Sequence, residues 1–494
     1  GLNHWYHMDM NYRGMINILM MCGCIGINGG GWAHYVGQEK LRPQAGWAPL
    51  AFALDWNRPP RLMNGTSFFY NHTSQWRYEK LKVSEILSPL SKNKKIFSTY
   101  SLLDFNIMAE RMGWLPSAPA LDVNSLTITS TAEKQSQTPT DYLISSLKSQ
   151  KIKFAAENPD DHNNYPRNLF VWRSNLLGAS GKGHEYFLKH LLGIDSGVMS
   201  NDLEEDNEPK PVNAKWIKQK EAGKLDLLVN IDFRISTTGL YSDIVLPTAS
   251  WYEKDDLNTS DMHPFIHPLT AAIDPVWETR TDWEIYKGLA RSFANLVRKY
   301  NLFEKIEKDL VLTPLLHDTP LELGQSIDVE DWKQNDIKMI PGKNMPCLTV
   351  VERRYHDIDL QFMSLGPLMK KLGNVCKGIS WQTDHEIELL GKINGVVKFD
   401  GIAKGLPKID TAINAAEVIL LLAPETNGEV AVRSWRSLEK ITGLKHDHLA
   451  LSREGEKIRF RDIVAQPRKI ISSPTWSGVE SEEVSYNSGY TNIN

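Results

Sequence analysis

Three adjacent glycines leave the backbone bare in Asn28-Gly29-Gly30-Gly31-Trp32. Without Cβ atoms, backbone N–H groups there can converge on an anion, or a large planar ligand can approach closely. The same run also serves as a plain stop for the apolar helical stretch before it. Gly37-Gln38-Glu39 adds a second position of close approach with side-chain hydrogen-bonding capacity. A second constellation is Trp172-Arg173-Ser174-Asn175, leading into Gly178-Ala179-Ser180-Gly181-Lys182-Gly183. A strand, a Ser/Asn/Gly loop and a helix in that order place backbone donors and a helix N-terminus at one end of a sheet, which suits a phosphate. The Walker spacing fails, because Leu176 stands where glycine is required and Gly183 follows Lys182. An ordinary glycine-containing loop accounts for the same residues. The third constellation is Asp232-Phe233-Arg234, at the end of an apolar run. A carboxylate at the carboxyl end of a buried strand reads ribose hydroxyls or the adjacent N–H donors of a guanine edge. Alternatively, Asp232 only ends the strand and pairs with Arg234. Asp282, just before Trp283, is a further acidic candidate.

Metal chemistry is less well supported. His4 and His7 are spaced i, i+3, and His263 and His267 i, i+4, but Pro264 and Pro268 forbid a regular helix around the second pair. Neither pair has an evident third ligand, so zinc is not predicted and no metal ligand is assigned. Cys22-x-Cys24 lacks a partner pair and reads as a buried structural element. With four cysteines in 494 residues there is no disulfide framework, and low usage suits a reducing compartment. A formal net charge of -4 excludes a general nucleic-acid binder, whose surface would be basic. The longest apolar stretch, Met15 to Ile27, is too short to span a membrane and is interrupted by Asn17 and glycines.

These residues need elements to position them. The chain is long enough for two or three cores, and segments 1–165, 166–300 and 301–494 are the expected divisions. Met10 to Met21 reads as an apolar helix. Ser125 to Gln137, polar and Ser/Thr-rich, reads as a surface excursion. Apolar runs at Asn168–Trp172, Leu225–Ile231 and Ile244–Leu246 alternate with helical stretches at Glu185–Leu192, stopped by Gly193, and Trp283–Tyr300. That alternation predicts an α/β fold with a mainly parallel sheet covered on its faces. Thr411–Leu422 reads as a helix capped by Asp410 or Thr411. The chain opens at Gly1 rather than Met and closes in a tyrosine-rich run, and is read as a fragment.

Taken together, GLNHWYHMDMNYRG, NGGGWAHYVGQEKLRPQ, ALDWNRPPR, SFFYNHTSQWRYEKL, LFVWRSNLLGASGKGHEYFLKHLLG, YSDIVLPTASWYEKDDLNTSDMHPFIHPL and IRFRDIVAQPRKIISSPTWSG are similar to the catalytic alpha subunit of membrane-bound respiratory nitrate reductase. The resemblance covers essentially the whole chain, and its SDIVLP–WYEK element is shared across the molybdopterin oxidoreductase superfamily. It implies Rossmann-like domains around a molybdenum bis(molybdopterin guanine dinucleotide), reducing nitrate to nitrite. Electrons would come from quinol through a membrane gamma subunit and an iron–sulfur beta subunit, on the cytoplasmic face of the membrane. It also implies that a [4Fe–4S] part and the aspartate ligand of molybdenum lie upstream, and a β-barrel downstream, of this segment, so that the segment alone would reduce no nitrate. By resemblance, His7 lies near the molybdenum–pterin centre, and Gly29, Gly30, Gly31, Trp32, Gly37 and Gln38 approach the cofactor. Arg173, Ser174 and Asn175 contact its phosphate or pterin parts, and Asp232, Arg234, Asp243, Asp261 and Asp282 its nucleotide or pterin. A nitrite oxidoreductase, another oxyanion reductase, or a non-catalytic scaffold that has lost its metal would use the same grip.

Overall fold

Val171, Val229 and Ile231 occur in short apolar runs of the kind that favour strands buried on both faces. Asn168–Trp172, Leu227–Asp232 and Ile244–Pro247 form strands β1, β2 and β3, paired side by side in that order and all parallel. In the register, Trp172 faces Ile231 and Asp232 faces Pro247, so the carboxyl ends of all three strands form one edge. Parallel neighbours need crossovers. These contain the short helices Leu176–Ala179 and Thr237–Leu240 and a turn over Glu185–Leu191. The expected helix at Glu185–Leu192 is there in π form: Leu192 N–H donates to Phe187 O at 3.1 Å, one residue further back than in an α-helix.

The structure is a computed structural model. It describes residues 7–27, 30–32, 44–51, 56, 82–87, 96–115, 119–179, 185–194, 211–215, 223–260, 263–315, 330–376, 378–462 and 467–475. The backbone divides into two compact units built from discontinuous stretches: residues 1–58, 249–295 and 357–494 in one, and 59–248 and 296–356 in the other. Each of the segments 1–165, 166–300 and 301–494 therefore contributes to both.

In the second unit, β1–β3 accompany a core of Met108, Met112, Ile128, Leu143, Phe154, Leu310 and Met345. The expected surface excursion at Ser125 to Gln137 is instead a helix, Ser125–Lys134, with Ile128, Thr129 and Ala132 buried. Asn124 caps it, its Oδ1 accepting from Leu126 N–H at 3.0 Å. Apolar and small residues at i and i+4 give this polar stretch one narrow inward face. That face meets the strand Glu307–Thr313, where Thr129 Oγ1 donates to Lys308 O at 2.5 Å. Glu307–Thr313 pairs antiparallel with Cys347–Arg353.

In the first unit, helix α1 spans Met8–Met21, and none of its residues is buried. Asp256–Ser260, His263–Leu269 and Arg468–Lys469 form an antiparallel sheet. Leu365, Met369, Ile387, Leu390, Val418 and Leu421 make one of its cores. Helix Ala412–Leu422 begins where the sequence indicated, with Thr411 Oγ1 accepting from Asn414 N–H at 3.2 Å. Helix Gln44–Ala51 comes so close to it that a Cβ on Gly46 would stand 1.9 Å from Ile419 O. Helix Asp282–Tyr300, whose residues from Leu296 on belong to the second unit, also forms as expected. Among the described residues, β1–β3 is the parallel sheet and the other three sheets are antiparallel, so the expectation of mainly parallel sheets narrows to this element within a mixed helix-and-sheet fold. No described helix is long and apolar enough to cross a membrane.

Candidate cofactor-binding site

The carboxyl edge of β1–β3 collects Arg173, Asp232, Phe233, Arg234 and Thr248. Backbone bonds fix the edge: Arg173 N–H donates to Ile231 O at 2.9 Å, and Thr248 N–H to Asp232 O at 2.9 Å. Arg173 takes φ 51, a left-handed conformation that a side chain with a Cβ adopts at a cost. The guanidinium of Arg173 reaches from the end of β1 past the end of β2, and its Nη2 donates to Thr248 Oγ1 at 3.4 Å. On the way it lies 5.6 Å from the centroid of the Phe233 ring, and the Arg234 guanidinium lies 5.4 Å from the same centroid. One aromatic ring thus holds two cations at the sheet edge, an arrangement stabilised by the ring quadrupole.

Asp232 is buried at the end of β2 and accepts from Phe233 N–H at 2.8 Å through Oδ1. It makes no ion pair among the described residues, so the alternative in which it pairs with Arg234 is not what forms. Ser236 follows closely, and its buried Oγ has no hydrogen-bond partner among the described residues. A buried hydroxyl without a partner costs about 1–3 kcal/mol unless a ligand or water satisfies it. Two guanidinium groups, a spare hydroxyl donor and a buried carboxylate together fit a group that carries phosphate at one point and a donor-bearing base at another.

Asn175 has a positioning role. Its Oδ1 accepts from Gly178 N–H at 3.2 Å, from Thr238 N–H at 3.3 Å and from Thr238 Oγ1 at 3.3 Å. Thr238 Oγ1 in turn accepts from Leu177 N–H at 3.0 Å. The loops after β1 and β2 are thereby tied to each other through one amide. A Cβ on Gly178 would sit 2.3 Å from Asn175 Nδ2, so glycine is what admits that amide. Ser174, between Arg173 and Asn175, is exposed.

Asp243 lies at the other end of the sheet, just before β3. Its Oδ2 accepts from Leu228 N–H at 2.7 Å and its N–H donates to Leu228 O at 3.0 Å. The structure gives it the work of registering β3 on β2, away from the Arg173–Asp232 edge.

The remaining candidates belong to the other unit. His7 is exposed at the N-cap of α1 with φ 54. Gly30 passes so close to Cys24 that a Cβ would lie 2.2 Å from Cys24 O, and Gly31 takes φ 103. Both therefore need to be glycine. The Trp32 ring packs against Tyr12 of α1 at 5.6 Å between centroids. Asp282 opens its helix and accepts from Lys254 Nζ at 3.0 Å, in a largely buried pair that Lys254 shares with Asp256. The adjacent Glu253 accepts from Ser250 N–H at 2.7 Å, and these Ser250 contacts hold its carboxyl below the ordinary range. Gly29, Gly37, Gln38 and Asp261 lie outside the described residues.

Phe233 stood in the third constellation without a role of its own, and Ser236, Thr238 and Thr248 were not among the candidates. The available signal was position: each stands just after a strand of the parallel sheet.

The chain as a whole is similar to known proteins. A family model for molybdopterin oxidoreductase matches residues 1–292, and one for domain V of the nitrate reductase alpha chain matches residues 372–494. The respiratory nitrate reductase 2 alpha chain of Escherichia coli (strain K12) is 63% identical over 493 residues, 100% of this chain and 39% of that protein. The respiratory nitrate reductase 1 alpha chain of the same strain is 60% identical over 493 residues, again 100% and 39%. The nitrate reductase alpha chain of Bacillus subtilis (strain 168) is 47% identical over 498 residues, 100% of this chain and 40% of its own length. The chain thus spans about 39% of the length of the first of these relatives.

Proposed function

The chain belongs to the molybdopterin oxidoreductase family, and from that premise we propose that it is the central part of the catalytic alpha subunit of a respiratory nitrate reductase, reducing nitrate to nitrite with electrons from quinol. Identities of 60–63% to two such alpha chains, covering the whole of this sequence, support the choice of substrate. The observation that carries the cofactor grip is the Arg173–Phe233–Arg234 array with buried Asp232 at the carboxyl edge of the parallel sheet, followed in the chain by Ser236 with its enclosed hydroxyl.

In this reading β1–β3 is a Rossmann-like cradle for one guanine dinucleotide of a molybdenum bis(molybdopterin guanine dinucleotide). Arg173 and Arg234 neutralise its phosphates, Ser236 donates to an oxygen, and Asp232 accepts from the guanine edge. Asn175 and Thr238 hold the loops so that these groups are in place before the ligand arrives, which lowers the ordering cost of binding. Glycines 29–31 and 37, with Trp32 and Gln38, let the backbone come close to the pterin. By resemblance, His7 would lie near the molybdenum–pterin centre, and Asp261 and Asp282 would contact nucleotide or pterin, with Asp282 held by Lys254. When bound, the molybdenum would supply two-electron redox chemistry. Further parts of the parent subunit would supply the metal ligand and a [4Fe–4S] cluster. An iron–sulfur beta subunit and a quinol-oxidising gamma subunit would hold the assembly at the cytoplasmic face of the membrane.

The test is Arg173→Ala in the full-length parent subunit. Molybdenum is measured by mass spectrometry, guanine nucleotide released on denaturation by chromatography, and nitrate reduction with a viologen dye as donor. Loss of one charge-assisted contact, about 1.5–3 kcal/mol, weakens nucleotide binding about tenfold to a hundredfold. Nucleotide content and turnover should fall together. Full loading with unchanged turnover removes Arg173 from the grip, and a molybdenum-loaded parent that reduces another oxyanion but not nitrate overturns the substrate.

A further inference from the structure

We propose that Cys22 and Cys24 form a reversible dithiol–disulfide site at the carboxyl end of α1, oxidised by low-molecular-weight disulfides. The helix ends in a Schellman motif: Cys24 N–H donates to Leu19 O and Gly23 N–H to Met20 O, both at 3.0 Å. Gly23 is the left-handed residue of that motif, with φ 63, and a Cβ there would meet nothing within 4 Å. The two cysteines are therefore held on either side of one fixed, uncrowded turn. A residue flanked by two helix-like steps keeps its neighbours' Cα atoms about 5.4 Å apart, inside the window of roughly 4.4–6.8 Å that disulfides span. The side chains are consistent with this. Cys24 Sγ folds back across the turn, donating to Cys22 O at 3.7 Å. Both cysteines are free, Cys22 is exposed and Cys24 partly so.

The step balances as two thiol–disulfide exchanges. The thiolate of one cysteine attacks a sulfur of glutathione disulfide, forming a mixed disulfide and releasing one glutathione thiolate. The second cysteine thiolate then attacks the protein sulfur of the mixed disulfide, forming Cys22–Cys24 and releasing the second glutathione. Two protein thiol protons leave, and two glutathione thiols result. The ring closes over a single residue, so its disulfide is strained and easily reduced, which makes the site reversible rather than a structural brace. The Schellman bonds remove most of the backbone freedom that ring closure would otherwise cost. Cys347 differs: it is half-buried in a paired strand, and burial pushes its thiol up.

The full-length parent subunit is equilibrated in glutathione buffers of graded oxidation, quenched in acid, alkylated and digested with trypsin. In oxidising buffer, peptide 14–40 should lose both alkyl groups and become lighter by two hydrogen atoms, and added dithiothreitol should restore both thiols. Cys24→Ser should stop at a glutathione adduct on Cys22. The proposal is overturned if peptide 14–40 stays alkylated at both cysteines throughout. Separate glutathione adducts on Cys22 and Cys24, or a disulfide-linked dimer of chains, would overturn it equally.

Discussion

Glu110 offers a quantitative test of how the second unit is held together. It lies on helix Leu102–Arg111, 4% exposed, and burial pushes its carboxyl from 4.5 to about 7. A hydrogen bond from Ala120 N–H opposes that rise, and the charge of Glu157 adds to it. Because the folded chain binds this proton more tightly than the unfolded chain, the stabilisation is complete below pH 4.5 and is lost as pH rises through about 7. At about 1.36 kcal/mol per pH unit, a rise from 4.5 to about 7 is worth about 3 kcal/mol, an order-of-magnitude figure. Glu110→Gln removes the charge and keeps an acceptor for Ala120 N–H. The readout is hydrogen exchange of the amides of helix Leu102–Arg111, taken as the ratio of variant to unsubstituted chain so that intrinsic pH effects cancel. At pH 4, below the unfolded carboxyl's range, that ratio reports only the amide's fit. Between pH 4 and pH 8 protection should move in the variant's favour by about a hundredfold, the equivalent of about 3 kcal/mol. A ratio that stays constant with pH would show that Glu110 ionises as freely folded as unfolded, and the reasoning from burial would fail.

Two further outcomes follow from the packing. Gly178→Ala puts a Cβ into the Asn175 amide and should destabilise the β1–β2 edge by about 1–3 kcal/mol. In the full-length parent it should lower guanine nucleotide content, and unchanged thermal stability and loading would show that the loops are not tied through Asn175. Asp331→Ala strands the fully buried Arg111 guanidinium, whose Nε donates to Asp331 Oδ1 at 3.1 Å. Breaking one side of such a pair costs about 3–5 kcal/mol, so the second unit should unfold at markedly lower urea. An unshifted urea midpoint would refute that.

The sequence by itself settled what depends on neighbours in the chain. Strands Asn168–Trp172 and Ile244–Pro247, helix Asp282–Tyr300 and the Thr411 cap all follow from local runs, periodicity and capping chemistry. The family was legible in the motifs, as the match over residues 1–292 bears out. The site was legible only as three short strings whose residues had alternative roles. Tertiary structure chose among those roles, because the deciding partners are distant in sequence. Asn175 was expected at the ligand, but the position of Thr238, 63 residues on, makes it a tie between two loops. Asp243 was grouped with Asp232, yet parallel pairing with β2 puts it at the opposite end of the sheet. The polar helix Ser125–Lys134 read as a loop because its inward face is narrow, and its burial depends on a strand that begins at Glu307. Periodicity and capping are properties of adjacent residues, whereas burial and charge partnership are settled only when remote strands pair.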